Sequence, residues 1–401
     1  MQRELAPRGR RDRVAISLIF SVHGAVEGSY ASRIPWVEAH VHATPGVLGA
    51  VMIAPTAGAL LSMPLAGGVV HRLGARRALR VMLMLWTAAL VIPGVMPNVG
   101  LLAVGMFFYG SISGVADVMM NAEAVRIERR AGKSIMSGLH GLWSVGVIVG
   151  ALFGALCAGA GISALPEFLV TALILTAAAA AVTALLPADA ELGGVAEEAI
   201  RPPRFARPTR AVIGIGIVGF CAIFAEGSGT NWSAVYLITV THASAAVGAY
   251  CVTGFAVTMA VGRLTGDAIV RRLGPVRTVQ IGGVLAVLGG VAIVLARTPW
   301  LGIAGFAAMG LGIATGVPLA IAAAGRSGGN TESAVAGITT VTYSAGLLAG
   351  PSVGALGSAV SLPFAFGIVA LLSVGIVLSA FTLRVGLGES SNHLAGIRSP
   401  A

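Results

Sequence analysis

Apolar stretches long enough to cross a lipid bilayer recur along the whole of this 401-residue chain, at 14–36, 48–70, 78–96, 101–122, 136–159, 168–187, 212–237, 247–270, 278–296, 301–323, 335–358 and 364–384. A hydrocarbon core about 30 Å thick needs roughly 20 consecutive apolar residues in an α-helix. Inside lipid every backbone N–H and C=O must find its partner within the protein, so runs of this length are read as helices and not as strands. Composition agrees: 56% of the residues are hydrophobic and 10% are charged, against about 25% charged in an ordinary soluble domain. The expected fold class is all-α integral membrane, with twelve transmembrane helices.

The charges orient the spans. An even number of spans puts both termini on one face, and 23 of the 26 Lys and Arg residues lie in the segments on that face. Only Arg33 and Arg297 lie on the other, and Arg263 lies inside a span. Basic residues are retained on the cytoplasmic side, so both termini are expected there. This distribution in short connections, without interleaved aromatics, accounts for the net charge of +10 and excludes a nucleic-acid surface. The Arg-rich start resembles a signal peptide, but its apolar run continues through His23 and Glu27 without a small-residue cleavage site, so it is read as a retained first span. Lys133 is the only lysine, a mark of a GC-rich bacterial genome, and the expected location is the bacterial cytoplasmic (inner) membrane. Cys157, Cys221 and Cys251 sit in apolar runs without ligand spacing and read as packing residues; no metal site or cofactor is expected.

The chain repeats itself. At an offset of 200 residues Arg72-Leu73-Gly74 matches Arg272-Leu273-Gly274, Gly105 and Gly110 match Gly305 and Gly310, and Ser144, Gly146, Gly150 and Gly154 match Ser344, Gly346, Gly350 and Gly354. At 199 residues Glu27-Gly28-Ser29 matches Glu226-Gly227-Ser228. One nearly constant offset with matches in the same chain direction indicates two parallel six-helix repeats, the arrangement of carriers that rock two halves about a midplane site. The expected organisation is an N-terminal half at 1–187, a Pro- and Arg-rich cytoplasmic linker at 188–211, and a C-terminal half at 212–401 that ends in a short cytoplasmic tail.

The connection after the second span reads GGVVHRLGARR. It resembles the loop between helices 2 and 3 of the major facilitator superfamily, G-x-x-x-D-R-x-G-R-R. Gly67, Arg72, Gly74 and Arg76 match; His71 stands at the acidic position and Ala75 at an Arg position. Glycine suits the tight turn, and the arginines can bond helix-end carbonyls at the interface. In the second half Asp267 has Arg263 and Arg271 at i−4 and i+4, so a helical ion pair is available there. The segments NAEAVRIERR, SGLHGLWSVG and AEGSGTNWSAVYL are similar to the fucose-permease-like branch of sugar and small-solute carriers. The resemblance implies the major facilitator fold, with helices 1, 4, 7 and 10 lining a central cavity.

Acids within spans carry the strongest functional signal, since an Asp at mid-helix costs roughly 2.5–3.5 kcal/mol on insertion scales and such residues face a cavity or a partner. Glu27 shares a helix face with His23 and Tyr30, Asp117 with Ser113 and Asn121, and Glu226 with Thr230 and Ser233. Glu27, Asp117 and Glu226 are the expected proton-coupling residues. His23, Tyr30, Ser113, Asn121, Thr230, Asn231 and Trp232 are the expected solute contacts. Trp232 reads equally as a platform for a sugar ring or as an interfacial anchor. Span 10 offers Thr315 alone. His140, beside Trp143, reads as a titrating group or as a packing residue. The glycine stripes Gly146-Gly150-Gly154 and Gly346-Gly350-Gly354 let helices approach closely, either as a sliding seam between the halves or as plain packing. Some drug/proton antiporters of the superfamily carry G-P-x-x-G-G on helix 5; here Ala151 takes the proline position, and Pro351 stands on span 11.

Neither a phosphate-binding loop nor a catalytic constellation occurs; GLGIATG at 310–316 lies inside a span and does not follow a strand. The chain is expected to be a secondary active carrier, not an enzyme. It is expected to move a small solute by alternating access, with proton-coupled uptake of a sugar-like polar solute as the first reading. Drug or metabolite efflux by proton antiport, and a receptor or scaffold that no longer transports, are the alternatives. Protons, a small-molecule solute and the lipid bilayer are the expected partners, and the chain is expected to work as a monomer.

Overall fold

The computed structural model of the chain describes residues 2–131, 135–186, 210–325 and 331–384. All the regular structure among them is helical. The spans are α1 (Gln2–His40), α2 (Pro45–Leu73), α3 (Ala75–Val95), α4 (Val99–Ala131), α5 (Met136–Gly159) and α6 (Ala164–Ala184) in the first half. In the second half they are α7 (Arg210–Thr241), α8 (245–273), α9 (275–295), α10 (Pro299–Ala324), α11 (Thr331–Ala359) and α12 (Leu362–Arg384). Among the described residues eleven helices are long and apolar enough to cross a membrane, and α11, 29 residues long, makes the twelfth. The expected linker lies outside the described residues except for its last two, which begin α7.

Several helices are broken where the sequence dictates it. A 3-10 turn at Met63–Leu65 interrupts α2 around Pro64, which cannot supply the interior N–H of a regular helix. The helical run from Ala245 to Leu295 reverses at Gly274, with φ 75°, so α8 and α9 are its two apolar limbs.

The repeat read from residue identity reappears as repeated conformation. Gly74 and Gly274 have φ of 77° and 75°, a left-handed geometry that a Cβ would strain. His42 and His242, also 200 residues apart, both have φ of 54°. Two residues further on, Thr44 and Ser244 each accept a hydrogen bond on the side-chain oxygen, from the N–H of Val47 and of Val247, both at 3.4 Å. These are N-caps of α2 and α8, satisfying a donor that a helix start leaves open.

Buried apolar side chains gather into two cores. One is drawn from residues between Ala15 and Leu186. The other runs from Ile215 to Leu383 and takes in Ile34, Leu48 and Met52 from the first half. The outward faces stay apolar, with Leu173, Leu264, Leu371 and Leu378 exposed, as lipid contact requires. Ala31, Ala151, Ala234 and Val252 form a small cluster joining α1, α5, α7 and α8.

The glycine stripes serve two different contacts. A Cβ on Gly146 or Gly150 would run into the carbonyls of Ser21 and Ala25 on α1, and one on Gly24 or Gly28 of α1 would meet the carbonyls of Trp143 and Val147. Four glycines thus hold α1 and α5 backbone to backbone, with Ser21 Oγ donating to Leu142 O at 3.0 Å. Gly154 faces Ser32 and Glu167. The α5 stripe therefore seals two helices of one half, while another face of α5 packs on α8 of the other half. On α11 the stripe does cross: Gly350 faces Met52, and Gly354 faces Pro45 and Gly49 of α2. Gly46 N donates to Ser358 Oγ at 2.5 Å in the same region, closing α2 on α11 at the end of the bundle away from the termini. Among the described residues, Gly346 has nothing closer to its missing Cβ than Ile223, at 3.8 Å.

Candidate functional site

Residues three and four apart on a helix share a face, so His23, Glu27 and Tyr30 make one polar stripe on α1, and Ser113, Asp117 and Asn121 make another on α4. The structure turns the stripes toward each other. Glu27 and Asp117 are close enough to repel electrostatically; both are half-buried, as are Tyr30, Ser113 and Asn121. Asn121 donates from Nδ2 to Asp117 Oδ1 at 3.0 Å and to its carbonyl at 2.9 Å. No cationic side chain is paired with either acid among the described residues.

Aromatic rings back the acids. Trp86 of α3 lies 4.5 Å, centroid to centroid, from Tyr109 of α4, and Tyr109 lies 5.6 Å from Tyr30. Tyr109 is 5% exposed, its hydroxyl has no hydrogen-bond partner among the described residues, and both tyrosines lie within electrostatic reach of Glu27.

His23 plays a different part from the expected solute contact. It is buried, stacked on Trp86 at 5.2 Å, and its Nδ1 accepts from Trp143 Nε1 of α5 at 3.3 Å. Its carbonyl accepts from Trp86 Nε1, also at 3.3 Å. A ring that accepts at Nδ1 is neutral, with its proton on Nε2. His23 thus props the α1 stripe against α3 and α5 from behind and adds no positive charge beside Glu27. His140 stands exposed on α5 with its ring edge against Phe20 at 5.4 Å.

The second half is organised around an ion pair. Arg263 Nη2 donates to both carboxylate oxygens of Glu226, at 2.9 and 3.0 Å, joining α8 to α7. Arg263 was expected to pair along its own helix with Asp267, whose side chain lies outside the described residues; the partner it has is on the neighbouring helix. Glu226, read from the sequence as a proton-coupling residue, thus has a cationic partner, whereas Glu27 and Asp117 have none among the described residues. Thr230 and Asn231 are half-buried on the same helix. Trp232 is fully buried and its ring packs at Gly354, so it is neither a platform for a solute nor an interfacial anchor here. Both roles need an exposed ring, and α11 covers this one.

At the connection after α2, Arg76 donates from Nε to the carbonyl of Thr183 at 3.3 Å and from Nη2 to that of Ala184 at 2.5 Å. Arg80 Nε donates to Thr183 Oγ1 at 3.2 Å. The connection is thus tied to the carbonyl end of α6, where orphan acceptors and the negative end of the helix dipole favour a cation. His71, Arg72 and Arg271 are exposed.

Two buried ion pairs escaped the sequence reading. Arg33 of α1 pairs with Glu167 of α6 at 2.9 Å, with side chains 4% and 0% exposed, and Arg33 Nη2 donates to Ile162 O at 2.5 Å. Both residues fall near predicted span ends and so read as loop charges. The available signal was that Arg33 is nearly alone among the basic residues on its side. Glu123 and Arg126 pair one turn apart on α4, where alternating signs in NAEAVRIERR allowed a pair but did not single one out.

Comparison with known proteins places this arrangement. Residues 16–351 match the family model described as Major Facilitator Superfamily. An uncharacterized MFS-type transporter of Yersinia pestis is 32% identical over 337 residues, covering 84% of this chain and 86% of that protein. The membrane protein MosC of Rhizobium meliloti is 31% identical over 332 residues, covering 82% and 78%. Among solved structures, the nucleoside transporter NupG superposes with a TM-score of 0.67 at 15% identity over 95% of this chain and 99% of that one. The E. coli fucose:proton symporter FucP superposes with a TM-score of 0.60 at 17% identity over 92% and 98%. Twelve helices, the conformational repeat, the anchored connection after α2 and a family match over most of the chain lead to one assignment: this chain belongs to the major facilitator superfamily and is a multi-pass membrane transporter, not an enzyme.

Proposed function

We propose that the protein is a proton-coupled secondary carrier that takes up a small polar solute by alternating access, with Glu27 and Asp117 as its coupling residues. The observation that carries this reading is a pair of half-buried carboxylates on α1 and α4 with which no cationic side chain is paired among the described residues. A bare charge in this setting is costly, and a proton is the smallest means of removing it. Glu226, already matched by Arg263, is left out of the coupling role. The closure of α2 on α11 supports alternating access, which needs one end of the path sealed while the other is open. The lopsided basic charge supports cytoplasmic termini in a bacterial inner membrane, and the two-half organisation supports a working monomer. The fold shared with FucP and NupG supports a hydroxyl-bearing solute.

The test is uptake into proteoliposomes under an imposed pH gradient, with radiolabelled fucose and uridine as first probes, beside counterflow exchange of the same probe. Glu27→Gln and Asp117→Asn should each abolish accumulation, and at least one should retain exchange. Wild-type accumulation with unchanged pH dependence in both variants would make the acids structural and end this reading.

A further inference from the structure

Where α2 closes on α11, the contact is made of glycine and backbone. The point that a Cβ on Gly354 would occupy lies 2.6 Å from Pro45 O, 2.7 Å from Gly49 Cα and 3.0 Å from Cζ2 of Trp232. Trp232 of α7 therefore stands at a junction of α2, α7 and α11. Its ring belongs to the same apolar cluster as Ile34, Leu48 and Met52, which the first half contributes. Cζ2 is two bonds from Nε1, so the indole N–H lies at the edge of the ring that meets this junction. Trp232 is fully buried, and its Nε1 has no hydrogen-bond partner among the described residues. We propose that Trp232 is a counterweight in the closure of α2 on α11: its buried, unpaired N–H raises the energy of the closed state and holds the seam ready to open.

This rests on the reading that the carrier alternates, and it adds a residue that sets the balance between the two states. The rest of the seam favours closure. Glycine faces let backbones meet, with Gly350 at Met52 and Gly354 at Gly49, and Gly46 N donates to Ser358 Oγ at 2.5 Å. A seal this close, with its polar strap satisfied, would tend to stay shut. A donor buried without an acceptor carries its desolvation cost only while the seam is closed. When α1 and α2 draw away with the first half, the α2 side of the ring opens to the path and the N–H pairs with water. The penalty then falls on one state alone, and a difference of that kind is what shifts a two-state equilibrium. Plain packing of a large ring predicts the opposite sign, because any change at the ring would then loosen the seam.

The experiment uses the purified full-length protein in detergent, where a reagent reaches both ends of the bundle and the result does not depend on orientation. Leu48 is 1% exposed in the closed seam and serves as the reporter, as Leu48→Cys in a background carrying Cys157→Ala, Cys221→Ala and Cys251→Ala. Its rate of reaction with a polar maleimide, relative to the rate in denatured protein, measures how often the seam opens. Trp232→Phe would remove ring volume together with the N–H. The deciding variant therefore carries benzothienylalanine in place of Trp232, introduced by stop-codon suppression, which has sulfur where the indole has N–H and nearly the same shape. The isostere should label about fivefold or more slowly than the Trp232 protein. Labelling at an equal or faster rate overturns the counterweight and leaves the carrier reading intact. A reporter in the Trp232 protein that reacts only after denaturation shows a seam that never opens, and removes the alternating-access reading together with this proposal.

Discussion

Gly146 and Gly346 occupy equivalent places in the repeat, yet the structure assigns opposite outcomes to the same substitution. In Gly146→Ala the added methyl meets the Ser21 carbonyl, with the Ser21 Cα 3.0 Å away. These are backbone atoms of a helix held along its length by three more glycines, so no side-chain rotation can relieve the contact. Overpacking of this kind costs typically about 1–3 kcal/mol, and the rigidity of the obstacle puts Gly146→Ala at the upper end. In Gly346→Ala the nearest atom is an Ile223 methyl at 3.8 Å, an ordinary contact. Replacing glycine by alanine inside a helix then gains roughly 0.5–1 kcal/mol. At about 2–4 °C per kcal/mol for a large domain, we predict a midpoint lowered by roughly 4–10 °C for Gly146→Ala and unchanged or slightly raised for Gly346→Ala. The assay is thermal unfolding of each variant in one detergent, monitored by loss of the monodisperse peak on size exclusion. Equal shifts in the two variants, or a stable Gly146→Ala, would show that α1 and α5 do not approach backbone to backbone.

Three further predictions follow from particular contacts. Arg33→Met should destabilise the protein by about 3–5 kcal/mol by leaving Glu167 buried and unpaired, and the double variant Arg33→Met/Glu167→Leu should recover most of the loss; a double variant no more stable than the single, measured in the same melt, rules the pair out as the cause. Gly74→Ala places a Cβ at φ 77° and should cost about 1–2 kcal/mol, whereas Gly68→Ala, where the structure leaves open space, should be neutral; identical melts for the two refute the strained turn. Single cysteines introduced at 123–135 and 188–211 should react with a membrane-impermeant maleimide only from the cytoplasmic side, and labelling from outside intact cells overturns the proposed orientation.

The helix count, the two-fold repeat and the polar stripes on α1 and α4 were legible in the sequence because each is a property of spacing along one chain. Apolar length reports a span, and a period of three to four reports a face. What stayed hidden depends on which helices meet. Glu226 shows no sign in its own segment that Arg263 on the next helix faces it. Trp232 looks like a contact residue until α11 is laid over it. The stripe Gly146-Gly150-Gly154 announces close approach without naming the partner, and the partner proves to be α1 of the same half. The Arg33–Glu167 pair stayed hidden for a related reason. A charge near a predicted span end reads as a loop charge, and only the three-dimensional pairing shows that both are sealed inside protein.

The Arg33–Glu167 pair also constrains how the chain enters the membrane. During synthesis α1 emerges long before α6, so while residues 34–166 are made Arg33 lacks the carboxylate it pairs with in the folded half. The first helix therefore cannot reach its final depth and packing alone. A nascent chain arrested after α5 should remain a loosely docked, protease-sensitive intermediate, and completion of α6 is the event that locks the half together. The folding of the first half is then complete only with its sixth helix in place, although its first helix holds the other partner of the pair.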